Sequence, residues 1–163
     1  MNRRLAGFGL ALLVLAADQL SKYWVLHGLH LEDGRFLVLL PVLNFVLVWN
    51  RGITFGMLHS LGALHWTVLS LLALAVVTAL GSWLWRTDRL LQSLAIGAVM
   101  GGAVGNVIDR FRYGAVVDFI QAHLGIYSFY VFNVGDSAIV CGVIALMLEN
   151  LLRRGTGGDR KAA

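Results

Sequence analysis

Charge is what this chain lacks most. Only 13% of its 163 residues are Asp, Glu, Lys or Arg, against about 25% in an ordinary soluble domain. Meanwhile 58% are hydrophobic and the mean hydropathy is +0.76. That balance excludes a water-solvated globule and makes lipid the solvent for most of the sequence. The single cysteine, Cys141, excludes an intrachain disulfide and says nothing of redox compartment. Inside its apolar run it reads as a small buried hydrophobe. Five histidines (His27, His30, His59, His65 and His123) show no metal-binding spacing; His27 and His30 are three apart but lack further ligands. The net charge of +4 does not point to nucleic acid. The basic residues flank hydrophobic segments, where they set topology. No Gly-x-Ser-x-Gly, His-Glu-x-x-His or phosphate loop occurs, and there are no repeats, low-complexity tracts or linkers.

What remains is long hydrophobic runs. Residues 5–26, 61–85, 90–107 and 134–152 are each long enough to cross a bilayer, which takes about 20 apolar residues. The expectation is one integral membrane domain over residues 1–163, with loops at 27–60 and 108–133 and a tail at 153–163. The first run resembles a secretion signal, since Arg3 and Arg4 precede it and Ala16-Ala17 offer small residues. It nevertheless continues through Lys22, and Asp18 and Lys22 share one helix face at i,i+4, so an uncleaved first span is favoured. Eight basic residues fall on the side of both termini and the link at 86–89, against four in the two loops opposite. Both termini are therefore expected in the cytoplasm. In the first outer loop, Asp33-Gly34 marks a turn, and β-prone runs at 35–40 and 42–49 flank Pro41. These predict a small extracytoplasmic sheet on the membrane surface. In the second, IYSFYVF (126–132) suits the headgroup belt.

Polar residues converge at one depth. At about 1.5 Å per residue, Asp18 stands roughly 20 Å above the cytoplasmic end of its span, and Asn106 and Asp136 roughly 24 Å above theirs. In a hydrocarbon core near 30 Å thick, all three lie in the outer third. Asn50, Asp109, Arg110, Asp118 and Asn133 attach to the same side by connectivity. Most have a bland reading as well as a functional one. Asp18–Lys22 suits a helix-anchoring pair, Asp109–Arg110 an interfacial anchor, Asn50 a turn before Arg51-Gly52, and Asn133 a cap for the fourth helix. Asp118 (in VVDFI) and Asp136 (one turn inside a span) are harder to dismiss, because a carboxylate deep in a membrane costs roughly 2.5–3.5 kcal/mol on insertion scales. Glycines at 101, 102 and 105 suit close helix packing.

Two aspartates held close share one proton, because like charges a few ångströms apart cannot both ionise readily. One then activates water while the other protonates the oxygen and the leaving nitrogen, which is what peptide hydrolysis needs without a covalent intermediate. Sequence does not divide the roles of base and acid between them. Ser21 and Lys22, neighbours about 100° apart on a helix, make no Ser–Lys dyad. A proton or ion pathway is the competing reading, since intramembrane Asp and Lys also mark transport routes. Such a route needs polar residues in the inner half of the membrane, and the cytoplasmic halves of the spans are nearly bare.

Taken in order, DQLSK (18–22), NRGITFG (50–56), GGAVGNVIDR (101–110), VVDF (116–119) and FNVGD (132–136) closely resemble bacterial lipoprotein signal peptidase, or signal peptidase II, over residues 5–152. Two departures are visible: Ile53-Thr54 stand where the family usually has smaller residues, and Gly135 where alanine is common. The resemblance implies a four-transmembrane-helix bundle, all-α apart from a small extracytoplasmic β-cradle, with a short periplasmic helix. The implied activity is removal of the signal peptide from prolipoproteins just before the diacylglyceryl-modified cysteine, in the bacterial cytoplasmic (inner) membrane. By matching position, Asp118 and Asp136 form the catalytic dyad. Asn50, Asn106, Arg110 and Asn133 look like holders of substrate or dyad, and Asp18, Lys22 and Asp109 like supports of the site. Sensitivity to globomycin-type inhibitors, contact with membrane lipid and a monomeric state are further expectations. No metal or organic cofactor is implied.

Overall fold

The computed structural model describes residues 2–29, 31, 36–52, 65–124 and 127–157. The Asp33-Gly34 turn, Arg35, His30, His59, Ile53-Thr54, the predicted start of the second span and the end of the tail lie outside them. No short separate helix occurs among the described residues.

The four apolar runs become helices α1 (Arg3–His27), α2 (His65–Arg86), α3 (Leu90–Tyr113) and α4 (Val134–Gly157). All four are long and apolar enough to cross a membrane. The third extends past the expected end at 107, because nothing in VIDRFRY breaks a helix. It stops at Gly114, whose left-handed φ of 68° lets its N–H reach Arg110 O at 2.9 Å. Asp109 and Arg110 are consequently helical and not loop residues. The segment 108–133 also departs from the expected loop. Its later part forms strands β3 (Val116–Leu124) and β4 (Tyr127–Phe132). These join β1 (Phe36–Leu40) and β2 (Leu43–Asn50), the two strands expected in the first loop, in one antiparallel sheet ordered β1-β2-β3-β4.

Helix α3 is the central one: 56% of its most apolar window is buried, against 11–17% for the other three. The others turn leucines such as Leu12, Leu71 and Leu148 outward, as suits helices solvated by lipid tails. Without a hydrophobic drive between helices in lipid, backbones must approach closely to gain dispersion contact. The glycines of α3 permit that approach. A Cβ at Gly101 would strike Ala11 O of α1, and one at Gly102 would strike Gly135 O of α4. A Cβ at Gly105 would strike the carboxylate of Asp18. The small-residue face thus seats both α1 and α4 closely against α3. Aromatic contacts fasten the sheet to the helix ends, with ring centroids of Trp24 and Phe45 6.2 Å apart and of Trp49 and Tyr113 5.5 Å apart, while Phe45 also meets Phe119 within the sheet at 5.5 Å.

Candidate active site

Every polar residue singled out from the sequence lies where the sheet meets the helices, in one hydrogen-bonded cluster. Its base is a buried charge group. Lys22 Nζ stands 2.7 Å from Asp18 Oδ2 and 2.7 Å from Asp109 Oδ2, with all three side chains at most 3% exposed. The remaining oxygens are satisfied as well, which a buried ion pair requires. Asp18 Oδ1 accepts from Gly135 N at 2.8 Å, while Asp109 Oδ2, already paired with Lys22, also accepts from Val117 N at 3.1 Å. Gln19, which the sequence reading passed over, donates to Asp109 Oδ1 at 3.0 Å. Its only sequence signal is its place within DQLSK. This group ties α1, α3, β3 and the first turn of α4 together. Asp18 also satisfies an amide of α4 that has no partner within the helix.

A directional network rises from that base. An ammonium only donates, so the Asn106 atom that receives Lys22 Nζ at 3.1 Å must be its carbonyl oxygen. The Asn106 amide nitrogen is thereby turned toward Asp136, donating to Oδ1 at 2.8 Å. Asn106 Oδ1 also accepts from Asn133 Nδ2 at 3.2 Å, and the same nitrogen donates to Asp118 Oδ1 at 2.7 Å. One lysine thus sets the orientation of two amides, both of which donate into the aspartates.

Asn133 fills two of the roles open to it. Its Oδ1 accepts from Asp136 N at 2.8 Å, while its own N–H donates to Asp136 Oδ2 at 3.3 Å. That is a reciprocal cap on the first turn of α4. Because its amide nitrogen also holds Asp118, the cap doubles as the link between the two carboxylates. Asp136 sits in the first turn of α4, where the helix dipole favours a negative charge.

Asp118 reaches the same place from the sheet. Register pairs it with Val48, so Asn50, two residues along β2, is its diagonal neighbour on the same face. Asn50 Nδ2 donates to Asp118 Oδ2 at 2.9 Å, and Asn50 Oδ1 accepts from Gly52 N at 2.8 Å in a turn where Gly52 takes φ 71°. A turn-forming Asn and a site Asn are the same residue here. Arg110 donates from Nη1 to Asn106 O at 3.3 Å, and its other terminal nitrogen faces the Gly52 turn. Asp118 is only 1% exposed. Burial pushes its carboxyl up from 3.8 to about 6. The Asn50 hydrogen bond opposes that rise, the nearby charge of Asp136 adds to it, and the Asn133 hydrogen bond and the charge of Lys22 oppose it. A buried carboxyl that keeps its proton toward neutrality, beside a second carboxyl at a helix N-terminus, is equipped for general acid–base chemistry on water.

Cys141 departs from the sequence reading. It is exposed on the outer surface of α4, five residues beyond Asp136, and not buried among the helices.

Comparison with known proteins finds relatives of the chain. The sequence model described as Signal peptidase (SPase) II matches residues 10–152. The lipoprotein signal peptidase of Methylorubrum extorquens (strain PA1) is 45% identical over 140 residues, covering 86% of this chain and 82% of that one. That of Nitrobacter hamburgensis is 40% identical, covering 91% and 93%. Two solved bacterial membrane enzyme structures superpose with TM-scores of 0.79 and 0.75, each at 28% identity. They cover 92% and 89% of this chain, and 90% and 92% of their own.

Proposed function

The chain belongs to the signal peptidase II family, the lipoprotein signal peptidases, and from that premise we propose that Asp118 and Asp136 are its catalytic dyad. Members of this family are proteases that remove the signal peptides of prolipoproteins. The observation that carries the residue assignment is that one asparagine, Asn133, bonds both carboxylates at once. Below about pH 6 the dyad holds its shared proton, and burial favours the neutral acid at Asp118. Asp136 takes a proton from water as that water attacks the scissile carbonyl, and Asp118 gives its own to the carbonyl oxygen. Collapse of the resulting diol returns a proton to the leaving nitrogen. The cut falls just before the diacylglyceryl-modified cysteine. Asn50, Asn106, Arg110 and Asn133 orient dyad and substrate; Asp18, Lys22 and Asp109 hold those orienting groups in place.

Topology supports the same reading. With both termini cytoplasmic, as the distribution of Lys and Arg favours, the sheet and dyad belong to the outer leaflet of the inner membrane. A lipid-anchored substrate presents its scissile bond at that depth. The sheet serves as an extracytoplasmic cradle over the four-helix domain, which acts as a monomer in contact with lipid and is blocked by globomycin-type cyclic peptides. Incubation with a diacylglyceryl prolipoprotein, with and without globomycin, tests this by the mass of the product. Asp118→Asn and Asp136→Asn should each abolish cleavage while the protein stays folded and inserted. Substantial turnover by either variant rejects the dyad.

A further inference from the structure

Beside Asp136, an open groove of about 370 Å³ runs along the outer face of α4, lined by Phe132, Asp136, Ser137, Val140 and Cys141. It starts at a dyad carboxylate. Cys141 lies five residues farther along the helix, roughly 7–8 Å toward the membrane centre. We propose that this groove is an acyl-chain subsite, taking one fatty chain of the diacylglyceryl group on the substrate cysteine. The proposal rests on the reading that this chain cuts beside such a cysteine.

The lining chooses between a fatty chain and a peptide. Among its described lining side chains, the only oxygen or nitrogen apart from Asp136 is the Ser137 hydroxyl, which already donates to Asn133 O at 3.0 Å. The Asp136 carboxylate is engaged by Asn106 and Asn133. An extended peptide laid there would leave its N–H and C=O groups without partners, at several kcal/mol each in a lipid-facing place. A helix satisfies its own backbone, and crosslinking separates it from an acyl chain. An acyl chain brings no polar group and is narrow. Connectivity fits as well: the glyceryl group hangs from the residue next to the scissile bond, so its chains begin a few bonds from the reacting carbonyl. A second apolar cleft, about 300 Å³ between α1 and α3 and including Leu12, Leu15 and Met100, is comparable in character. It has no dyad carboxylate in its wall and serves as the internal control.

The only cysteine of the chain supplies the test. Hexadecyl methanethiosulfonate converts the Cys141 thiol to a mixed disulfide carrying a C16 chain and releases methanesulfinate. Stoichiometric labelling, checked by intact mass, should lower kcat/KM for a diacylglyceryl prolipoprotein about tenfold or more. Dithiothreitol should restore it, and Cys141→Ala should keep its own untreated rate after exposure to the reagent. Fully labelled enzyme working at its untreated rate overturns the subsite. Untreated enzyme that makes no product would instead sink the functional reading. The groove is then read independently with a prolipoprotein carrying a diazirine midway along one acyl chain, bound to Asp118→Asn and irradiated. Crosslinks within residues 132–141 support the proposal. Crosslinks at Leu12 or Met100, scattered labelling, or labelling of 132–141 only by a diazirine placed in the signal peptide overturn it.

Discussion

Asp118→Asn should change how the stability of this protein depends on pH, beyond ending its activity. The Asp118 carboxyl is buried, and its native-state value is about 6 against an ordinary 3.8. A raised native value means the folded protein holds this proton more tightly than the unfolded chain. The associated stability is fully present below about pH 3.8 and is lost as pH rises through about 6. At 1.36 kcal/mol per pH unit, the whole change is worth about 3 kcal/mol. An amide cannot ionise, so the variant lacks this loss. Near pH 4 the neutral acid accepts from both Asn133 and Asn50, whereas the amide nitrogen of the variant cannot accept, so the variant should start about 1–3 kcal/mol below the parent. By pH 8 the variant should have gained about 3 kcal/mol on the parent relative to that starting point. Unfolding of both proteins in the same detergent or bicelle, from pH 4 to pH 8, measures the difference; titrating groups outside the dyad cancel in the comparison. Parallel stability curves would refute the reasoning. The parent's kcat/KM, which reports the free enzyme, should correspondingly fall above about pH 6 as the dyad loses its shared proton.

Other perturbations test the supports of the site. Lys22→Met leaves Asp18 and Asp109 buried without their cation and should cost about 3–5 kcal/mol in denaturation measurements. Lys22→Gln combined with Asp18→Asn keeps the net charge of the group and should recover much of that stability; failure to do so would argue that charge is not what matters there. Asn133→Ala removes both the cap and the donor to Asp118, and should lower kcat/KM by roughly tenfold to a hundredfold, as expected for about 1–3 kcal/mol of unsatisfied polar groups. Equal activity in this variant would show that the dyad needs no bridge. Gly102→Ala drives a methyl group into Gly135 O and should cost about 1–3 kcal/mol by thermal unfolding. Gly9→Ala, which meets nothing within 4 Å, is the control.

The sequence alone settled the solvent, because scarcity of charge and four long apolar runs leave lipid as the only medium that suits them. It also supplied the ordered motifs, the two candidate aspartates and the two strands leading to Asn50, since hydropathy, turn residues and motif order are local properties. It did not determine that α3 continues to Tyr113, that β3 and β4 complete a single sheet, or that Cys141 faces outward. Strand pairing and helix orientation depend on partners distant in sequence: β3 is a strand because β2 and β4 flank it. Tertiary structure likewise decided that Asn133 is cap and bridge together, and that Lys22 of α1 orients Asn106 of α3. Those facts depend on which atoms of separate elements lie about 3 Å apart, a distance scale at which hydrogen bonds act and which sequence spacing does not encode.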